Sequence, residues 1–285
     1  MPANKFSITG DEINSYEAFK ASIRNSNISN ALFMPDTFSL APQFEKHTKI
    51  TFRAISFKNT KFERVKFVAC VFIDCLFLNA EFFQCDFSNC TFDGCNFLGS
   101  SWGRTRIDPR TLKKNFDFKN DANIAAHLFH ALYKQFKNEH QPNYARQAKY
   151  LLMKSRYGLD YFYKKKGTLK TYSFYLRRVQ SLFDMLISGY GVYKLRVIVA
   201  FFIFFIAASI LNHFLQSYIF SAGEPPISPG YSIIQSAYYT FISITTIGFG
   251  DMVPKSEIGR LLIMGEASVG IILIAYLLNF FSERE

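Results

Sequence analysis

Ten phenylalanines stand at a spacing of five, at positions 52, 57, 62, 67, 72, 77, 82, 87, 92 and 97, and Trp102 and Ile107 keep the register. Two places earlier in each unit sit Ile50, Ile55, Thr60, Val65, Cys70, Cys75, Ala80, Cys85, Cys90 and Cys95, then Ser100 and Thr105. A period of five is neither helical nor that of a simple strand. Within each unit the small residue and the Phe flank an outward residue such as Lys61, Glu81 or Asp86, so two residues face in and one faces out before the chain bends. A repeating bend builds a solenoid, whose coils bury their inward residues only by stacking on each other.

The segment 48–108 resembles the pentapeptide-repeat family on these residues. The resemblance implies a right-handed quadrilateral β-helix with four repeats per coil, hence about three coils and roughly 14 Å of solenoid at the inter-strand spacing. All five cysteines occupy the small inward position, with no paired Cys-x-x-Cys spacing, so they are expected to pack as small hydrophobes rather than to bind metal or form disulfides. Some pentapeptide-repeat proteins resemble DNA through an acidic surface. Residues 45–110 hold seven acids and ten basic residues, so that signature is missing.

After Pro109 the period changes. Ile124, Leu128, Leu132 and Phe136 recur every fourth residue, as do Tyr144, Ala148 and Leu152 beyond Pro142. This predicts a helical hairpin over 109–160, turning at residues 140–142 and capping the solenoid. His127 and His130 have no HExxH partner and are expected to be solvated. Residues 1–47 are expected to form an N-terminal cap, and they contain no apolar signal-peptide core.

Residues 161–193 read as a basic linker and an interfacial helix. From Arg146 to Arg178 there are ten Lys and Arg and one acid, Asp160, interleaved with Tyr157, Tyr161, Phe162, Tyr163, Tyr172, Phe174 and Tyr175. Such a mixture suits nucleic acid or an anionic membrane face. The neighbouring span favours lipid, so no nucleic acid is expected. Gly189 and Gly191 permit a sharp turn into that span.

Two apolar runs then follow. Residues 197–220 carry no charge, and residues 258–281 are interrupted only by Arg260 and Glu266. Each is 24 residues, about 36 Å as a helix and enough to cross a bilayer core. Of 33 Lys and Arg, 30 precede Val197 against 16 of the 22 acids, so residues 1–196 carry +14 and the remainder −3. The basic residues nearest the span (Arg177, Arg178, Lys194 and Arg196) place that end in the cytoplasm by the positive-inside tendency. The expected location is the cell inner (plasma) membrane, multi-pass, with both termini cytoplasmic.

Between the spans lie a loop, SAGEPPISPG, then YSIIQSAYYTFISI, too short and too hydroxylated to cross, then TTIGFGD. Irregular backbone at membrane depth is tolerated only inside protein or along a watery path. Gly248 and Gly250 permit the positive φ that would aim successive carbonyls at one axis, where they replace an ion's hydration shell.

Residues 194–285 resemble the two-helix potassium channels: Thr246, Ile247, Gly248, Phe249 and Gly250 match the Thr-Val-Gly-Tyr-Gly filter, and Asp251 follows. With the upstream repeats, the whole chain resembles a bacterial pentapeptide-repeat potassium channel. The resemblance implies an all-α two-transmembrane-helix pore domain with a re-entrant pore loop, assembled as a homotetramer, with no cofactor beyond transported K+. It assigns the ion-facing oxygens to the carbonyls of Thr246, Ile247, Gly248 and Phe249 and the Thr246 hydroxyl. Thr245, Asp251, Tyr238 and Tyr239 are the implied filter support, although Phe249 lacks the hydroxyl of a tyrosine. Gly270 falls where such channels often bend. Ile271, Ile274 and Leu278 share a helical face expected to line the cavity. Glu266, ionisable within a span, reads equally as a gating group or as a structural hydrogen-bond partner of pore-helix hydroxyls.

A potassium-selective, passively conducting channel is therefore the expected function, with the cytoplasmic N-terminal region as the candidate gating input. A non-selective cation channel and a membrane-anchored interaction protein are the alternatives. An enzyme is not expected, since no nucleophile–base or metal constellation stands out. Anionic lipid of the inner leaflet is the expected partner, with room for a cytoplasmic ligand or protein.

Overall fold

The computed structural model describes residues 8–39, 43–220 and 230–282. The loop expected between the spans lies outside them over 221–229, as do residues 1–7 of the expected cap and the last three residues. The chain folds as two compact units, divided after Ser181.

In the first unit the Phe ladder forms a four-sided β-solenoid. One side stacks β1 (Asp11–Ile13), β2 (Asn27–Phe33), β4 (Thr51–Ser56), β7 (Val71–Ile73) and β10 (Thr91–Asp93). A second stacks β5 (Lys61–Glu63), β8 (Glu81–Phe83) and β11 (Ser101–Gly103), and a third β3 (Glu45–Thr48), β6 (Val65–Val68) and β9 (Asp86–Ser88). The fourth is carried by the parallel bridges Ser56↔Leu76 and Leu76↔Asn96. All the strand pairings are parallel, and Phe52 faces Phe72, which faces Phe92. Their rings stack at 4.7 and 5.0 Å between centroids. Similar columns run through Phe57, Phe77 and Phe97 and through Phe62, Phe82 and Trp102.

The corner is as periodic as the core. Lys49, Ala54, Asn59, Arg64, Ala69, Asp74, Asn79, Gln84 and Asn89 all have φ between 50 and 58°, and Gly94, Gly99 and Arg104 continue the series. A left-handed non-glycine residue costs about 1–2 kcal/mol. Burying a Phe returns about 1.5–3 kcal/mol, and each turn also adds ladder hydrogen bonds, so the fold carries this strain at every repeat. All five cysteines are free and buried. Their thiols donate to backbone carbonyls, as Cys75 Sγ does to Phe52 O at 3.4 Å, and burial pushes the Cys85 thiol up to about 12.

The solenoid has about four turns, one more than the Phe ladder predicts. β2 pairs in parallel with β4, Ile28 opposite Phe52 and Ala31 opposite Ile55. Much of the expected cap at 1–47 is therefore a coil, and the cap proper is α1 (Tyr16–Ser22), which inserts the fully buried Phe19 beneath it. Register explains the difference. Thr37 bridges Lys61, 24 residues on, whereas Glu45 pairs with Val65, 20 residues on. Four extra residues between them break the period.

At the other end the open edge is closed by side chains, which prevents further strand addition. Asn115 acts as a surrogate strand, accepting from Cys95 N at 2.7 Å and donating to Cys95 O at 2.8 Å. Gln135 donates to Thr105 O at 2.7 Å, and Glu139 accepts from Arg104 N at 2.6 Å. These come from a 3-10 turn at Thr111–Asn115 and from the helical hairpin of α2 (Ala122–Asn138) and α3 (Pro142–Lys165). The turn falls at residues 139–141, with Pro142 as the first helical residue, where its missing N–H costs nothing. Leu128, Phe129, Leu132 and Phe136 join the solenoid core, while His127 and His130 are exposed.

Next comes α4 (Thr171–Phe183), longer than the expected linker suggests, ending in a π turn at Asp184–Ser188. Gly189, Tyr190 and Gly191 are all left-handed, with φ of 55, 61 and 71°. That reversal feeds α5 (Lys194–Phe214), which is followed by α6 (Gln216–Phe220), α7 (Ile233–Ile244) and α8 (Glu257–Ser282). Among the described residues, α5 and α8 contain the two segments long and apolar enough to cross a membrane, Leu195–Phe214 and Glu257–Leu278, with mean hydropathy 2.3 and 2.2.

Candidate functional site: the loop between the spans

α7 starts with a reciprocal cap written in the sequence as Ser-x-x-Gln. Ser232 Oγ accepts from Gln235 N at 3.3 Å, and Gln235 Oε1 accepts from Ser232 N at 2.8 Å. At 12 residues it is about 18 Å long, too short to cross. Its buried face (Ser236, Tyr239, Thr240 and Ile242) packs between the spans.

The helix does not end abruptly. Thr245 N and Thr246 N donate back to Phe241 O and Ser243 O, and Gly248 N reaches Ile242 O at 3.3 Å. Beyond that the chain is extended, and left-handed φ recurs at every second residue: 59° at Thr246, 50° at Gly248 and 81° at Gly250. The two glycines are the positions anticipated from sequence; the left-handed Thr246 is not. Residues 246–250 are exposed within the single chain. The C-terminal, negative end of the α7 dipole meets this loop and favours a cation there.

The anticipated support residues separate. Tyr238 donates to Asp251 Oδ2 at 2.8 Å, joining α7 to the residue after the glycines. Tyr239 is buried against Ile219 and Ile242. The Thr245 hydroxyl turns back to Phe241 O at 2.6 Å.

Glu266 is buried and reaches the Thr240 hydroxyl of α7 through an intermediary. Asn212 on α5 donates from Nδ2 to Glu266 Oε2 at 3.0 Å and to Thr240 Oγ1 at 2.9 Å. Asn212 is the residue that sequence reasoning missed; its signal is an amide inside an otherwise apolar span. One helical turn on, α8 runs unbroken through Gly270, which lies against the end of α7: a Cβ there would sit 2.6 Å from Ile244 Cγ2 and 2.9 Å from Ile244 O. Gly270 is thus a close-approach glycine. Ile271 and Leu278 are 54% and 65% exposed and Ile274 is half-buried, so this face of α8 is largely unpartnered within one chain.

Two apolar helices long enough to cross a membrane thus flank a short capped helix and a left-handed alternating loop. The ion channel family model matches residues 196–284, so the chain carries an ion channel domain joined to an N-terminal β-solenoid. No curated protein matches the chain.

Proposed function

We propose that the protein is a potassium-selective channel formed by four copies of this chain in the cell inner (plasma) membrane, with both termini cytoplasmic. The observation that carries the reading is the left-handed φ at Thr246, Gly248 and Gly250, directly after a short helix held between two spans. Such alternation lets successive carbonyls share one side of the chain, so four chains around an axis supply stacked rings of oxygens in place of hydration water. One chain supplies a quarter of each ring, which is why the reading needs a closed fourfold assembly. The carbonyls of Thr246, Ile247, Gly248 and Phe249 and the Thr246 hydroxyl take the ion, which is substrate rather than cofactor. Tyr238, Thr245 and Asp251 brace the loop.

Control enters from the cytoplasmic side. α4 carries an exposed apolar stripe of Tyr172, Tyr175, Leu176, Val179, Leu182 and Phe183, with Lys170, Arg177 and Arg178 on the same helix or beside it. This composition suits the anionic inner leaflet, at about 1 kcal/mol per well-placed charge. The segment then reaches α8 directly, since Tyr276 bonds Asp184. Tilting the segment moves the inner end of α8, where Ile271, Ile274 and Leu278 line the cavity.

The test is flux from potassium-loaded vesicles carrying purified protein, with the assembly mass measured in mild detergent. Potassium efflux from a four-chain species supports the reading. A stable monomer or dimer, or no flux, refutes it.

A further inference from the structure

Thr240 lies in α7 five residues before Thr245, where the helix hands over to the loop. Its hydroxyl donates to Ser236 O at 2.9 Å, so its oxygen can only accept from Asn212, and this fixes the orientation of the Asn212 amide. The same amide nitrogen spends its second proton on Glu266 Oε2. One side chain of the first span therefore holds both the pore helix and the second span, and all three polar groups are buried, Asn212 at 1%, Thr240 at 0% and Glu266 at 7% exposure.

We infer that Asn212 and Glu266 are positioning residues for the filter, setting the level at which α7 presents Ile242 and Ser243 to the loop. The inference rests on the channel reading above. The chain of contacts is short. Ile242 O and Ser243 O receive the amides of Gly248 and Thr246, so any axial slip of α7 is transmitted to two of the three left-handed residues. On α8, Glu266 and Gly270 lie one turn apart on one face; the first holds α7 at Thr240 through Asn212, and the second abuts Ile244. Tyr239 and Ile242 also pack against the apolar Ile219, and apolar packing tolerates sliding more readily than a directed hydrogen bond.

Glu266 has a second consequence. Its Oε1 is buried and has no hydrogen-bond partner among the described residues. The interaction with Asn212 needs only an acceptor on Oε2, so the role assigned here needs the shape of the carboxylate and not its charge. Glu266→Gln therefore retains it, whereas Asn212→Leu, of similar volume, removes both bonds, and Thr240→Val removes one.

The experiment records single channels from full-length protein in planar bilayers while external potassium is lowered at constant ionic strength. A filter held at its level stays conducting, and a loosened one depends on resident ions to keep its shape. Asn212→Leu and Thr240→Val are expected to shorten conducting bursts at low potassium by about tenfold, the order expected from losing buried hydrogen bonds. Glu266→Gln is expected to stay within about twofold of the wild type, and the double variant Asn212→Leu/Thr240→Val to be no worse than Asn212→Leu alone, since Asn212→Leu already removes the Thr240 bond. Tetramer mass is measured for each, and Thr240→Val, which changes one atom, carries the test if Asn212→Leu does not assemble. Wild-type conduction with potassium-independent bursts in an assembled Thr240→Val channel overturns the inference and leaves the channel reading standing. A silent wild-type protein overturns the channel reading and the inference with it.

Discussion

Tyr276, six residues before the last described residue of α8, donates a hydrogen bond to Asp184, in the π turn before the first span. The partners are 92 residues apart, so this bond closes the second unit on itself and connects the segment before the first span to the C-terminal part of the second. If control passes through it, Tyr276→Phe and Asp184→Ala, each of which removes the bond, should change open probability equally. The double variant should match either single, with a coupling of about 1–2 kcal/mol. Deleting residues 1–170 should alter opening and lipid response in the wild type but add nothing in Tyr276→Phe, with selectivity unchanged throughout. Additive effects in paired recordings would show that the bond is not the route.

Gly270 yields a prediction that separates close approach from bending. Gly270→Ala places a methyl within 3.0 Å of Ile244 Cα and closer still to Ile244 O and Cγ2. The channel domain should lose about 1–3 kcal/mol, as overpacked cores do. Ile244→Ala should restore only part of it, because the clash with backbone persists. Thermal unfolding of the three variants in detergent is the measurement; a neutral Gly270→Ala would favour a simple hinge.

The solenoid stacks should show large, local energetics. Phe72 lies between Phe52 and Phe92, and Phe72→Ala should cost about 3–5 kcal/mol. Phe44 is 61% exposed, and Phe44→Ala should stay within about 0.5 kcal/mol. The one tryptophan of the chain, Trp102, stacks on Phe82 and reports denaturant unfolding of this unit by fluorescence.

The first coil should be acid-sensitive. His47 is buried, faces Tyr16 at 3.0 Å and stacks on Phe67, with Glu45 and Lys20 nearby; burial lowers its pKa from 6.5 to about 4. The unfolded chain binds a proton between those values and the folded chain does not, so stability falls as pH drops from about 6.5 to about 4, by up to about 3 kcal/mol. His47→Phe keeps the ring stack and should remove that pH dependence from the Trp102 unfolding curve. An unchanged slope would assign the acid sensitivity to other groups.

These tests fall on both sides of what could be read from the sequence. The Phe ladder announced the solenoid from position 52 onward because its period is unbroken there. The first coil has the same spacing at Ile28, Phe33 and Phe38, but four added residues shift its phase and His47 takes the place of a Phe. The loop 245–251 was legible because glycines in an apolar setting have few other uses. Asn212 was not: a lone amide in a span has no periodic signature, and its partners lie 28 and 54 residues away. The Asp184–Tyr276 bond was hidden for the same reason, since only the three-dimensional fold brings those residues together.

Ion selectivity is the central claim, and the reversal potential under bi-ionic conditions tests it most directly. With potassium on one side of a bilayer and sodium on the other, wild-type currents should reverse close to the potassium limit. Thr246→Ala, which deletes one hydroxyl per chain at the innermost ring, should weaken ion binding there while the carbonyl rings remain. A wild-type reversal near zero would contradict the account and leave a non-selective cation pore.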